Sequence, residues 1–484
     1  MKKGSWWVLP AAFFLLINFS ISSVEYLFFK RLIYFLFLTS FFFFLRRINF
    51  NKILPIITAG VSLIIFGYGI LQKFVLFPIY LKTLTSGDNF YSQALRYRIE
   101  TGRIFSIFSL PTLYAIICVI LILAVFHYCL QSSKNRILWI FLLILGGVNL
   151  IFTQSFGGIL CLFAGLLAYL TIAGILKLKY LAPVILVLSF IFFILVGLRF
   201  SEAKKFEPLT LRLSNWKQAG RIIRSSPFLG IGLGNYESQI SRFTQGNEAR
   251  SIYAHNFFLQ LTAETGMIFP LVILILIFLT RKKLKPDRPR EKILYLSIFL
   301  VLLVYNLVDI GFYFFTAGLI MSIILSQIYP VAKEKFNIKF KLNVLLLSLL
   351  SLVLIFISVS DSYQQKGDFW LSQNHLNDAG QYYQKSFTLN PFQFKSLAGY
   401  GQIQLLRNNL TAAEKYLNRA YRLYPDSPFV HYLHSKIALR SNQFFRSLYH
   451  ASAAFHLSRF NEVYKKWYEY IKDRLQTELD AVQI

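Results

Sequence analysis

A chain of 484 residues that is 56% hydrophobic, 17% aromatic and only 15% charged is too apolar to be a set of soluble domains. The 50 Phe and 28 Tyr exceed what one globular core buries, and the mean hydropathy of +0.52 requires several lipid-facing spans. The formal charge of +29, from 51 Lys and Arg against 22 Asp and Glu, would point to nucleic acid in a soluble protein. In a membrane protein it points first to orientation, then to anionic lipid or phosphate. The three cysteines, Cys118, Cys129 and Cys161, all lie in apolar stretches, which argues against a disulfide scaffold and a Cys-based metal site.

Apolar runs of bilayer-crossing length, about 20 residues each, are read at 6–21, 29–45, 53–71, 109–130, 137–153, 156–176, 180–198, 257–280, 293–308, 310–329 and 342–359. The first follows Met-Lys-Lys as a signal peptide would, but it has no small-residue cleavage site and a second span follows at once. It therefore reads as a retained helix. If the N-terminus is cytoplasmic, every second connection is basic: Arg46, Arg47 and Lys52; Lys134 and Arg136; Lys177 and Lys179; the string RKKLKPDRPREK; and Lys333 to Lys341. By the positive-inside rule these are cytoplasmic. Two long segments, about 72–108 and 199–256, and everything after Val359 then face the other side. The expectation is an all-α polytopic membrane domain over 1–360, with about 11 transmembrane helices, followed by a non-cytoplasmic domain over 361–484.

That second domain has a period of 34 residues. Ala379 recurs as Ala413, Phe387 as Tyr421 and Phe455, Leu389 as Leu423 and Leu457, and Pro391 as Pro425. The strings NDAGQYYQKSFTLNP and TAAEKYLNRAYRLYP match the second helix of a tetratricopeptide repeat, where small residues admit close helix packing and Pro ends the helix. Such an array either docks a protein partner or caps the outer face.

Five of the seven histidines belong to the tail, and His127 lies at a span end. That leaves His255, in SIYAHNFFLQLTAETG, where the long loop returns to the membrane. A neutral imidazole can accept a proton near neutral pH, so His255 is the best-placed general base. The loops also carry Arg212, Arg221, Arg96 and Arg103 on the face where the topology rule disfavours arginine. A guanidinium fork binds phosphate oxygens in a bidentate way, which suits a lipid-linked diphosphate; the alternative is that these arginines face water or headgroups. The run SPFLGIGLGNY lacks the strand–helix context of a dinucleotide fingerprint and reads as a turn. Acids are scattered, with Glu264 near the loop and Asp309 at a span end. This pattern supports neither a metal site nor a carboxylate pair, and no cofactor is expected.

The string RLSNWKQAGRIIRSSPFLGIGLGNYESQI followed by YAHNFFLQLTAETG resembles the O-antigen ligase and O-antigen polymerase group, which includes the pilin-type O-oligosaccharyltransferases. Arg212 and Trp216 match its first element, Pro227, Gly230 and Gly232 the second, His255 and Asn256 the third, and Glu264 and Gly266 the last. GRIFSIFSLPTLYA is a weaker match, with Arg103 in place but Thr112 where Asn is usual. In TQSFGG, Phe156 stands where the group has an arginine, and Arg103 or Arg96 would have to substitute for it.

The resemblance implies a GT-C-like, metal-independent, inverting glycosyltransferase in the bacterial inner membrane, with its loop and repeats periplasmic. Its donor would be an undecaprenyl-type polyprenyl-diphosphate glycan. In that reading His255 and Arg212 are catalytic, Arg103, Arg96 and Arg221 help to hold the diphosphate, and Asn256, Trp216, Glu264 and Asp309 are accessory. The acceptor would be the lipid A core of lipopolysaccharide, a protein Ser or Thr, or another lipid-linked glycan. A non-catalytic membrane assembly scaffold, with the tail recruiting a protein partner, is the alternative from a different class.

Overall fold

A computed structural model describes residues 8–48, 50, 52–83, 96–132, 134–177, 207–246, 248, 251–271, 289–329 and 338–482. The described residues are helical, with no strand among them, and the chain is an all-helical polytopic membrane protein. Six of the described helices are long and apolar enough to cross a membrane: Glu25–Leu45, Leu54–Leu81, Pro111–Gln131, Arg136–Thr153, Glu291–Val308 and Phe340–Ser372. Phe156–Ile172 and Phe315–Ile328 are apolar but shorter. The run read at 6–21 forms a helix of 13 residues, Val8–Ser20. The run read at 180–198 lies outside the described residues.

Two expected spans have different ends. The third does not stop at Leu71: it passes through a π-helical turn, Gln72–Leu76, into Phe77–Thr83. The polar pair Gln72 and Lys73 interrupts the hydropathy but not the helix, because the widened turn aims both side chains at the loop after it. Gln72 accepts from the amides of Phe105 and Ser106, each at 2.8 Å, and Lys73 Nζ donates to the Gly102 carbonyl at 3.0 Å. The run read at 257–280 opens as a separate helix, Phe257–Thr265, that ends at Gly266 with φ 69°.

The chain divides into two compact units that interleave along the sequence: 1–37, 209–276 and 348–484 form one, and 38–208 with 277–347 the other. In the second unit, Pro111–Gln131 is the central helix. It is apolar on every side, the pattern of a helix surrounded by others, and most of its residues are buried. Arg136–Thr153, Phe156–Ile172 and Pro289–Val308 pack around it. A Cβ on Gly165 would stand 2.6 Å from both Leu123 Cδ1 and Val301 Cγ2, so only glycine admits this three-helix approach.

The first unit holds the repeats. Helices Leu376–Leu389, Leu410–Leu423 and Phe444–Leu457 are each 14 residues long and begin 34 residues apart, so the sequence period is a period of helical hairpins. Each follows an asparagine in the left-handed region, Asn374, Asn408 and Asn442, at φ 60°, 61° and 57°. Asparagine tolerates that conformation better than other non-glycine residues. The first two helices end just before Asn390-Pro391 and Tyr424-Pro425, where the residue preceding proline is driven out of the helical region. The array also braces the Tyr236–Phe243 helix. Lys395 pairs with Glu237 at 2.5 Å, Arg242 with Asp426 at 2.9 Å, and the Tyr424 hydroxyl donates to the Ser238 carbonyl at 2.5 Å.

His431, His434 and His450 cluster between two repeat helices, with the His431 and His450 Nδ1 atoms 2.9 Å apart. Burial pushes His434 down to about 4 and His450 down to about 3, helped by their mutual repulsion and by Arg446. In the unfolded chain both would titrate near about 6.5. The unfolded state thus binds more protons between about pH 6.5 and the folded values, and stability falls as pH falls through that window. The array should lose stability progressively as pH falls from about 6.5 toward the folded values, and His450→Asn should reduce that loss. Hydrogen exchange of Phe444–Leu457 across pH checks this.

Candidate functional site

The Glu207–Ser225 helix buries Asn215, Gln218, Ala219 and Ile222, recurring at three- and four-residue spacing, against Tyr236, Ile240, Ala254 and Ala263. Arg212 and Trp216, four positions apart on one face, are half-buried. The glycine-rich run after this helix folds as the turn expected of it, with Gly230, Gly232 and Gly234 all at positive φ.

This turn caps another helix. The amides of Ile231 and Gly232 donate to the carbonyls of Ala263 and Glu264, at 3.1 and 2.9 Å. Those carbonyls lie in the last turn of Phe257–Thr265, where none has a partner within the helix. A Cβ on Gly230 would stand 2.4 Å from the Glu264 carbonyl carbon, and one on Gly266 2.0 Å from the Phe228 oxygen. Positive φ adds about 1–2 kcal/mol for a non-glycine residue. Gly230→Ala should therefore loosen segment 226–266, read as faster hydrogen exchange there. Gly220→Ala, in an open helical position, should be neutral or stabilising by up to about 1 kcal/mol.

The same crossing fixes His255. Glu264 is fully buried; its Oε2 accepts from the Gly234 amide at 2.8 Å and its Oε1 from Gln260 Nε2 at 3.2 Å. Gln260 Oε1 in turn accepts from the Ala254 amide at 3.1 Å. On the other side, Asn256 caps the Phe257–Thr265 helix by accepting from the Leu259 amide at 3.0 Å. His255, between these two pinned residues, is held at φ 50°, and its carbonyl accepts from Trp216 Nε1 at 3.4 Å. Four expected residues, Trp216, His255, Asn256 and Glu264, thus meet in one hydrogen-bonded framework, with Arg212 one turn from Trp216.

Sequence reasoning missed three members of this framework. Asn18, inside the first apolar run, donates to the carbonyls of Leu229 and Glu264 and accepts from the Leu233 amide. Asn235 accepts from the Val24 amide at 2.9 Å, and Gln260 links Glu264 to Ala254. An asparagine within a hydrophobic helix was the available signal for the first.

The arginines divide by what already holds them. Arg221 donates to the Phe243 carbonyl at 2.7 Å and pairs with Glu248, and Arg96 pairs with Glu100 at 2.6 Å. Arg103, in the other unit, donates through Nε to the Thr153 carbonyl at 3.0 Å. Arg212 has no hydrogen bond or ion pair with any described residue, although its side chain is half-buried. Asp309 accepts from the Ile310 amide at 2.9 Å and from the Tyr305 hydroxyl at 3.3 Å within the second unit. There Ser155 caps the helix that Phe156 begins, accepting from the Gly158 amide at 3.2 Å.

The O-antigen ligase family model matches residues 140–275, an interval that contains Arg212, Trp216, His255, Asn256 and Glu264. No curated protein matches the chain.

Proposed function

We propose that this chain, whose residues 140–275 match the O-antigen ligase family model, moves a glycan from a polyprenyl-diphosphate carrier to an acceptor hydroxyl. The reaction would take place on the periplasmic face of the bacterial inner membrane. The observation that carries the reading is Arg212: a half-buried cation with no described partner, beside the tryptophan that holds the His255 peptide. An unpaired, partly buried charge is costly unless a ligand completes it. A diphosphate does so.

His255 takes the proton from the acceptor hydroxyl as its oxygen attacks the anomeric carbon. The bond from that carbon to the phosphate oxygen breaks, and the electron pair leaves with the diphosphate. Arg212 offsets the charge that develops there. One displacement inverts the anomeric centre. The Gln260–Glu264 link, Asn256 and Trp216 hold the His255 backbone. Arg103 lies in the other unit and is held by the Thr153 carbonyl; glycan transfer by Arg103→Ala membranes tests the expectation that it contacts the donor. For Arg96 and Arg221, their carboxylate partners make a structural role the simpler reading.

Lipid A core is the acceptor the family implies. A protein Ser or Thr is the second reading, and the hairpin array, read as tetratricopeptide repeats that bind peptides in their groove, favours it. Deleting the gene and profiling both lipopolysaccharide and glycoproteins separates the two. Loss of glycan from glycoproteins alone would overturn the lipid acceptor, and no change in either would overturn transfer itself.

A further inference from the structure

The helix Ile338–Ser372 runs without a break from an apolar span into the first repeat. Along it Leu349, Leu352, Phe356 and Val359, at alternating three- and four-residue spacing, form a single stripe that is 53%, 51%, 47% and 39% exposed. The same spacing continues to Tyr363 and Lys366. These two therefore stand directly beyond the exposed apolar stripe, Lys366 about 10 Å past Val359 along the axis at about 1.5 Å per residue.

The next helix, Leu376–Leu389, returns to the same level, because the hydroxyls of Ser360 and Ser386 lie 3.1 Å apart. It brings Lys385 and Tyr382 beside the first pair. The tyrosine rings lie 6.2 Å apart, Lys366 Nζ is 5.7 Å from the Tyr382 centroid, and Lys385 Nζ is 5.5 Å from it. Leu389 and Phe392, exposed at 37% and 58%, continue the patch. No described carboxylate pairs with either lysine. The nearby acids are engaged elsewhere: Asp361 with Lys30 and Gln393, Asp368 with Tyr383 and Gln364.

Two ammonium groups on aromatic rings, above an apolar stripe and beside exposed Leu and Phe, have the layering of a bilayer surface: tails, aromatic belt, phosphates. We propose that Lys366, Lys385, Tyr363 and Tyr382 seat the first hairpin on the anionic phospholipid headgroups of the membrane that the helix spans. The inference rests on the span and the patch, and is independent of glycan transfer.

The test reconstitutes the full chain in nanodiscs of phosphatidylcholine alone or with added phosphatidylglycerol, and follows lysine acylation by mass spectrometry. In anionic discs Lys366 and Lys385 should label about threefold or more slowly at low salt, with the difference lost at high salt. Lys415, exposed on the second hairpin, should label alike in both. Equal rates for Lys366 and Lys385 across lipids, as a protein occupant would give, overturn the proposal. So does equal slowing of Lys415.

Discussion

Replacing His255 with asparagine should lower glycan transfer by about 10²–10⁴-fold, the range expected when a positioned general base is removed, while the loop stays folded. Asparagine is the informative substitution because His255 sits at φ 50°. An alanine there adds left-handed backbone strain, whereas asparagine tolerates that region and offers no basic nitrogen. Two of the bonds that hold this turn, from Trp216 to the His255 carbonyl and from the Ala254 amide to Gln260, use the backbone at 254–255 and survive the exchange. Consumption of a labelled lipid-linked donor by membranes containing the variant gives the rate. Hydrogen exchange over 251–265 shows whether the loop is intact.

Arg212→Ala should cost about 10²–10³-fold, the scale on which a preorganised charge stabilises a departing group. Arg212→Lys should fall between, since it keeps the charge but loses the planar fork. Stability should move the other way. Every other arginine proposed for the diphosphate is held by a carboxylate or a carbonyl, but Arg212 has no described partner to lose. Replacing a half-buried cation with methionine removes a desolvation cost and retains the packing, so Arg212→Met should be at least as heat-stable as the parent while inactive. Arg221→Met should unfold the loop more readily, because it strands Glu248. A combined thermal and activity measurement on these two variants distinguishes an arginine kept for a ligand from one kept for the fold.

The periodic parts of this chain were readable in advance because they follow from spacing. The 34-residue recurrence from Ala379 to Ala413 is a helix-packing repeat, and the structure returns it as hairpins that begin at Leu376, Leu410 and Phe444. Of the eleven runs read from hydropathy, six correspond to described helices long and apolar enough to cross a membrane, and their ends were less legible. Gln72 and Lys73 look like a helix end to any averaging window, yet a single π turn lets the helix pass and turns the two polar groups toward residues 102–106. Gly266 has the opposite effect, ending a short loop helix in the middle of an apolar run. At the candidate site, the motif residues were legible as types in order. What joins them was not: the chain Gly234, Glu264, Gln260, Ala254 ties the glycine turn to the loop helix through side chains, and Asn18 enters from more than two hundred residues away. Nor does sequence show which arginines are already taken. That sorting needs the partners Glu248, Glu100 and Thr153 in place.

Glycan transfer by His255 and Arg212 is tested most directly by a single-turnover measurement with the purified full chain, a labelled polyprenyl-diphosphate glycan and its acceptor. Polyprenyl diphosphate should be released in step with formation of the new glycosidic bond, and release should nearly cease in folded His255→Asn and Arg212→Ala proteins. Full-rate release and bond formation in either variant would contradict it.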